Sequence, residues 1–294
     1  MAKKKKLKMT ADVDVDFSQE ELDYIRFKMN PGDPMLRMAE PIPYVDYGFS
    51  VDIKCKNAKQ KQYLNLLKDD SKQIVAALGE PGTGKSWVSL AYGLQCIKTG
   101  KFRQIVCFNP TAPAGAKALE IGFLPGSMDD KIFPFVSADR ETMKAILDES
   151  GNPMSAKIVD GLIRNKVIEH RVVNYARGCT INNALILINE AQNFSYEELC
   201  LLIGRIGGRN AKCEHNPDLY PYGSKIILSG DIRQLDRSDI RKSGKKASIL
   251  EIVEKLADME EFGRVDFERD DIVRNPLITK ILDRLDPNNE KLIW

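Results

Sequence analysis

The order of residues 74–97 decides the fold: Ile74-Val75-Ala76-Ala77-Leu78, then Gly79-Glu80-Pro81-Gly82-Thr83-Gly84-Lys85-Ser86, then Trp87-Val88-Ser89-Leu90-Ala91-Tyr92-Gly93-Leu94-Gln95-Cys96-Ile97. The first five residues are an apolar run of the kind buried on both faces of a parallel sheet. The next eight match the spacing GxxxxGK[ST], and the last eleven read as a helix, which is the context a phosphate-binding loop requires. Phosphate oxygens concentrate negative charge. Glycines let successive backbone N–H groups curl around them, while the start of the helix adds the positive end of its dipole. Gly79, Glu80, Pro81, Gly82, Thr83, Gly84, Lys85 and Ser86 are therefore expected to hold the phosphates of a nucleotide. Lys85 is expected to reach the β and γ phosphates. Ser86 is expected to offer its hydroxyl to Mg2+, a hard cation that takes oxygen ligands.

Outward from this stretch, further apolar runs lie at Gln104 to Phe108, Val167 to Val173, Ala184 to Ile188 and Lys225 to Leu228, separated by amphipathic segments. Strands alternating with helices predict an α/β fold with a parallel sheet flanked by helices, and ligands of such sheets sit beyond the carboxyl ends of the strands. Residues 1–54 read as a short N-terminal appendage. It carries one helix starting at Ser18, with Glu21 completing a capping box, and a connector containing Pro31, Pro34, Pro41 and Pro43. Residues 55–294 form the nucleotide-binding domain, with a surface loop at 207–223.

The strand ends decide what the phosphate loop serves. Ala184 to Ile188 runs into Asn189-Glu190-Ala191-Gln192-Asn193, which places the Glu190 carboxylate at a strand tip where it can orient or deprotonate an attacking water. Phe194 as hydrophobic staple, Ser195 as N-cap and Glu198 three residues on start the next helix, with Leu199, Leu202, Ile203 and Ile206 on its inner face. The run ending at Leu228 leads into Ser229-Gly230-Asp231-Ile232-Arg233-Gln234. Gln234 there can hydrogen-bond a γ-phosphate or the water.

Composition narrows the class. Hydrophobic residues at 43% and charged residues at 29% fit a folded globular chain, and no apolar run approaches the roughly 18 residues of a membrane span. No signal peptide is evident, so a cytoplasmic location is expected. The six cysteines form no CxxC pair, which argues against a disulfide framework or a zinc ribbon. A net charge of +2 gives no broad field for nucleic acid, so any such contact must come from local patches. Lys3 to Lys6 make one such patch. Arg233, Arg237, Arg241, Lys242, Lys245 and Lys246 make another, directly after the Asp231 loop.

These motifs together resemble the PhoH family of ATP-binding proteins. The resemblance covers about residues 55–285 and also includes Gly122-Phe123-Leu124-Pro125-Gly126, Tyr175-Ala176-Arg177-Gly178 and Asp271-Ile272-Val273-Arg274. It implies a RecA-like P-loop NTPase that hydrolyses ATP with Mg2+ and assembles as a homo-oligomer, for instance a hexameric ring. RNA or single-stranded nucleic acid is the implied partner. It further implies that Gln60 and Tyr63 lie on the adenine side, and that Arg205 or Arg274 supplies a charge-stabilising arginine, across a subunit interface if need be. Two positions depart from the family pattern. Asn189 stands where an Asp usually precedes the Glu, so only its amide oxygen can accept from a Mg2+-bound water, and Asn109 stands where an Arg is usual. A nucleic-acid-coupled ATPase and a nucleotide-binding regulatory or scaffold protein of weakened catalysis both remain open. A small-molecule kinase is disfavoured by Glu190 and Gln234, which point to water as the acceptor.

Overall fold

A computed structural model describes residues 48–110, 128–207, 223–231 and 248–273, with the further helical positions 277, 280, 281 and 284. The expected helix at Ser18, the proline-rich connector, the Gly122 to Gly126 segment, Gln234, Arg274 and the basic stretch after Arg233 lie outside the described residues. Six strands, β1 (Ile74–Gly79), β2 (Gln104–Phe108), β3 (Ile168–Arg171), β4 (Ala184–Ile188), β5 (Lys225–Gly230) and β6 (Phe262–Phe267), form one sheet in the order β3-β2-β4-β5-β1-β6. Every pairing is parallel, with Val75 opposite Ile227 and Gly263, and Cys107 opposite Leu187 and His170. All carboxyl ends therefore share one edge of the sheet.

The helices α1 (Ala58–Lys68), α2 (Lys85–Lys98), α3 (Met128–Glu149), α4 (Ser155–Arg164), α5 (Tyr196–Ile203) and α6 (Ser248–Lys255) cover the two faces. The period-two geometry of a strand sorts its side chains between them. Val75, Ala77, Ile105, Cys107, Leu185, Leu187 and Ile227 pack with α1 through α4. Ile74, Ala76, Leu78, Val106, Ile186, Ile188, Ile226 and Leu228 pack with α5 and α6. Burying such a side chain is worth about 1.5–3 kcal/mol, so a strand covered on both sides carries no penalty for being apolar throughout.

The edge strands break that rule. β6 reads Phe262-Gly263-Arg264-Val265-Asp266-Phe267 and buries one face while Arg264 and Asp266 stand in solvent. Continuous apolarity is the criterion that picks out the inner strands, and β6 escapes it. β3 is also shorter than the expected Val167 to Val173 run: Lys166 enters it with φ 56°, and Val173–Ala176 winds into a 3₁₀ turn. The start of α5 is as expected. Ser195 Oγ accepts from the Glu198 amide at 3.1 Å, the Glu198 carboxylate accepts from the Ser195 amide at 2.7 Å, and Phe194 is buried. Among the described residues no helix is long and apolar enough to cross a membrane.

Candidate nucleotide site

β1 hands the chain to α2 through the phosphate loop, and two glycines and one lysine shape the turn. Gly79 has φ 130°, and a Cβ there would come 1.9 Å from the Phe267 carbonyl oxygen, so β6 can pair this closely only with glycine. Gly84 occupies the cap position of α2 in the left-handed region, at φ 86° and ψ 17°. It offers no capping side chain, and the first turn of α2 holds no acidic residue, so the amides there are left for an anion. The Lys85 ammonium folds back over the loop, donating to the Gly79 carbonyl at 2.6 Å and the Glu80 carbonyl at 2.7 Å.

A cavity of about 320 Å³ opens on this loop, walled by Pro81, Gly82, Gly84, Lys85 and Ser86 on one side and by Glu190, Gly230 and Asp231 on the other. Gly79, Glu80 and Thr83 shape it from behind. Glu80 turns its carboxylate away from the cleft into an ion pair with Arg269 at 3.7 Å, and the Thr83 hydroxyl donates to the Glu80 carbonyl at 2.9 Å. The segment after β6 holds the loop as well: the Val273 amide donates to the Gly82 carbonyl at 3.1 Å, and Asn57 Nδ2 donates to the Asp271 carbonyl at 3.0 Å.

The ends of β4 and β5 meet through one side chain. Glu190 is exposed toward the cleft with a left-handed backbone, φ 50° and ψ 43°. Gln192, 0% exposed, donates from Nε2 to the Glu190 carboxylate at 2.7 Å and accepts at Oε1 from the Asp231 amide at 3.0 Å. The sequence presents Gln192 only as part of a motif; its bridging role depends on the β4–β5 pairing.

Other expected residues fall into two groups. Gln60 lines the cleft, with its amide spent on structure: Nε2 donates to the Thr83 carbonyl at 2.9 Å, and Oε1 accepts from the Lys56 amide at 2.7 Å. Tyr63, expected beside it, is instead a core residue at 0% exposure, its hydroxyl 2.6 Å from Ser89 Oγ and its ring edge-on to Phe267. Asn189 is buried at the end of β4 and does not line the cleft, whereas Asp231 does. Arg205 donates to the Leu201 and Cys179 carbonyls, and its own carbonyl accepts from the amide of Ile181, which precedes β4. It therefore stands at the amino end of the sheet, opposite the phosphate loop, and no part of this chain's own cleft includes it. The residues that do converge there suit a nucleotide with Mg2+: amides and an ammonium for phosphate, and Ser86, Glu190 and Asp231 as oxygen donors for a hard cation.

A parallel helix-flanked sheet of RecA-like type, with a phosphate loop on one inner strand and a strand-end carboxylate two strands away, defines a P-loop nucleotide-binding protein. The chain belongs to the PhoH family: the family model described as "PhoH-like protein" matches residues 52–286. A PhoH-like protein of Mycobacterium tuberculosis (strain ATCC 25618 / H37Rv) is 29% identical over 231 residues, covering 79% of this chain and 57% of the relative. A PhoH-like protein of Bacillus subtilis (strain 168) is 26% identical over 237 residues, covering 81% and 65%. The chain thus spans between half and two thirds of these curated relatives. Among solved structures, the large terminase from a thermophilic bacteriophage in complex with ADP is similar over 78% of this chain and 49% of its own, with 11% identity and a TM-score of 0.41.

Proposed function

We propose that this chain hydrolyses ATP to ADP and phosphate and couples the cycle to RNA or single-stranded nucleic acid. The observation that carries the reading is the convergence, on one cleft, of the Lys85–Ser86 loop with a strand-end carboxylate that Gln192 ties to the neighbouring strand. In this reading the amides at the start of α2 hold the phosphate chain, and the Lys85 ammonium exchanges its bonds to the Gly79 and Glu80 carbonyls for phosphate oxygens. Glu190 accepts a hydrogen bond from the attacking water and takes its proton. Mg2+, held by Ser86 with Asp231 in support, would neutralise charge on the phosphates. The Asp231 amide and the Glu190 carboxylate share Gln192, so a shift of the water-side carboxylate is felt at the start of the segment that carries Gln234 and the basic stretch Arg233 to Lys246. That stretch is the local charge that would meet a phosphate backbone. Assembly of copies into a homo-oligomeric ring would let Arg205 or Arg274 act on a neighbour's nucleotide.

A second reading rests on Asn189. An amide in place of a carboxylate beside Glu190 removes a charge that would otherwise favour the metal, and losing one preorganised electrostatic contact can cost about 10²-fold in rate. The chain would then bind nucleotide and act as a regulated binding protein. Phosphate release from ATP and Mg2+, with and without single-stranded RNA, separates the two readings. Turnover that RNA raises and Glu190→Gln abolishes is the expected result. A wild type that binds ATP yet releases no more phosphate than Glu190→Gln sinks the ATPase reading.

A further inference from the structure

On the α1–α4 face of the sheet, apart from the cleft, three side chains from three elements point at one another inside an otherwise apolar cluster. Cys107 of β2 is 0% exposed and stands opposite His170 of β3 in the strand register. Asp139 of α3 reaches over both, with Oδ2 2.9 Å from His170 Nε2. One ligand atom from each residue lies within 4.8 Å of the other two. Cys107 belongs to the apolar cluster that also holds Ile105, Met143, Ile146, Ile168 and Leu185. None of the three lines the nucleotide cleft.

We propose that Cys107, Asp139 and His170 form a binding site for one divalent ion of the zinc class, which would clamp edge strand β3 and helix α3 onto β2. First, a sulfur, an imidazole nitrogen and a carboxylate oxygen are a donor set suited to Zn2+ and ill suited to Mg2+, which asks for oxygen. Second, charge closes: one thiolate and one carboxylate around a divalent ion sum to zero, which is what a buried pocket tolerates. Third, the fit is near. Tetrahedral bonds of about 2.0–2.3 Å set ligand atoms roughly 3.5 Å apart, so the Asp139–His170 pair opens by about half an ångström and a pair at the 4.8 Å limit closes by about 1.3 Å, within the reach of a side-chain adjustment. Without an ion, burial and the Asp139 carboxylate push the Cys107 thiol well up, so it holds its proton. On binding, the S–H proton leaves to solvent and the sulfur lone pair goes to the metal; the Nε2 proton of His170 is given up to solvent as Nδ1 takes one from it, so the imidazole stays neutral, and the Asp139–His170 hydrogen bond is exchanged for two coordination bonds. No oxidation or reduction is involved. Three protein ligands leave a fourth position for water. The residues lie about thirty apart in the chain, so no short spacing marks them.

Co2+ added to the purified full chain is the probe, because a thiolate ligand gives it a charge-transfer absorption. The expected result is one ion per chain with that absorption, displaced by equimolar Zn2+. Cys107→Ser abolishes the band, while Cys200→Ser and Cys213→Ser leave it intact. His170→Gln, which keeps the thiol, weakens Co2+ binding at least ten-fold and serves if Cys107→Ser fails to fold. Absence of the band in the wild type, its survival in folded Cys107→Ser, its loss in Cys213→Ser, or unchanged affinity in His170→Gln would each overturn the assignment. ATP turnover is not read in any arm, so the outcome is independent of the function proposed above.

Discussion

Glu190 holds a backbone conformation that a residue with a Cβ seldom adopts, and such strain costs about 1–3 kcal/mol and persists only where the surroundings impose it. Here the imposition comes from Gln192, whose amide grips the Glu190 carboxylate and the Asp231 amide at once. Removing that grip frees the carboxylate while leaving the phosphate loop untouched. On the proposed ATPase reading, Gln192→Ala should therefore lower kcat about 10²-fold, the order expected when a reacting group is misplaced by about an ångström. ATP affinity should change less than about threefold. Steady-state phosphate release beside a nucleotide titration checks this, and a loss confined to affinity would show that Gln192 serves binding instead. Glu190 is legible in the sequence, because a carboxylate after an apolar strand needs only local reading. The role of Gln192 is not, because it depends on which strand lies next to β4. Tyr63 misleads for the converse reason: its place in the chain near Gln60 suggests the cleft, yet one turn of α1 carries it into the core.

At the scale of elements, α5 rests on its cap. It spans only eight residues, too few to be stable by propensity, and both partners of its capping box are made. Ser195→Ala leaves the Glu198 amide without its acceptor and should cost about 1 kcal/mol. For a chain of this size that lowers Tm by about 2–4 °C, readable by calorimetry, and an unchanged Tm would mean the first turn is held by packing alone. The box is visible in the sequence as Ser195 and Glu198 at the right spacing. The inner strands are visible too, as unbroken apolar runs. What escapes is the edge. β6 alternates charged and apolar residues because one of its faces is covered along its length and the other only at Phe262, and its pairing with β1 over residues 262–267 is a contact nearly two hundred residues distant in sequence. Yet β6 and the turn after it bear on the site directly, through the Phe267 carbonyl against Gly79 and the Val273 amide on Gly82.

Across the whole molecule, the amino end of the sheet is locked by a lysine that ought to be in water. Lys225 begins β5 at 4% exposure, and its ammonium donates to the Leu67 carbonyl at 2.5 Å and the Asp69 carbonyl at 2.8 Å, closing the C-terminus of α1 against the sheet. Burial, aided by Lys101 nearby, lowers its pKa to about 8. The unfolded chain keeps the ordinary value near 10.4. Between those two values the unfolded state binds the proton more than the folded state does, so this group makes stability rise with pH through the window and stay level below it. The difference, roughly 2.5 pKa units, corresponds to about 3 kcal/mol. Other groups oppose it: burial raises Tyr63 and takes Cys96 to about 11, so the unfolded state loses those protons first and the fold weakens as pH climbs. The Lys225 share is isolated by comparison with Lys225→Met, which keeps the stem and removes the titration. The stability of the wild type relative to that variant should grow by about 2–3 kcal/mol between about pH 7.5 and about pH 10 in denaturant titrations, whatever the offset at neutral pH. A difference that stays flat would mean Lys225 keeps its charge throughout, held by the helix-end carbonyls strongly enough to cancel the cost of burial.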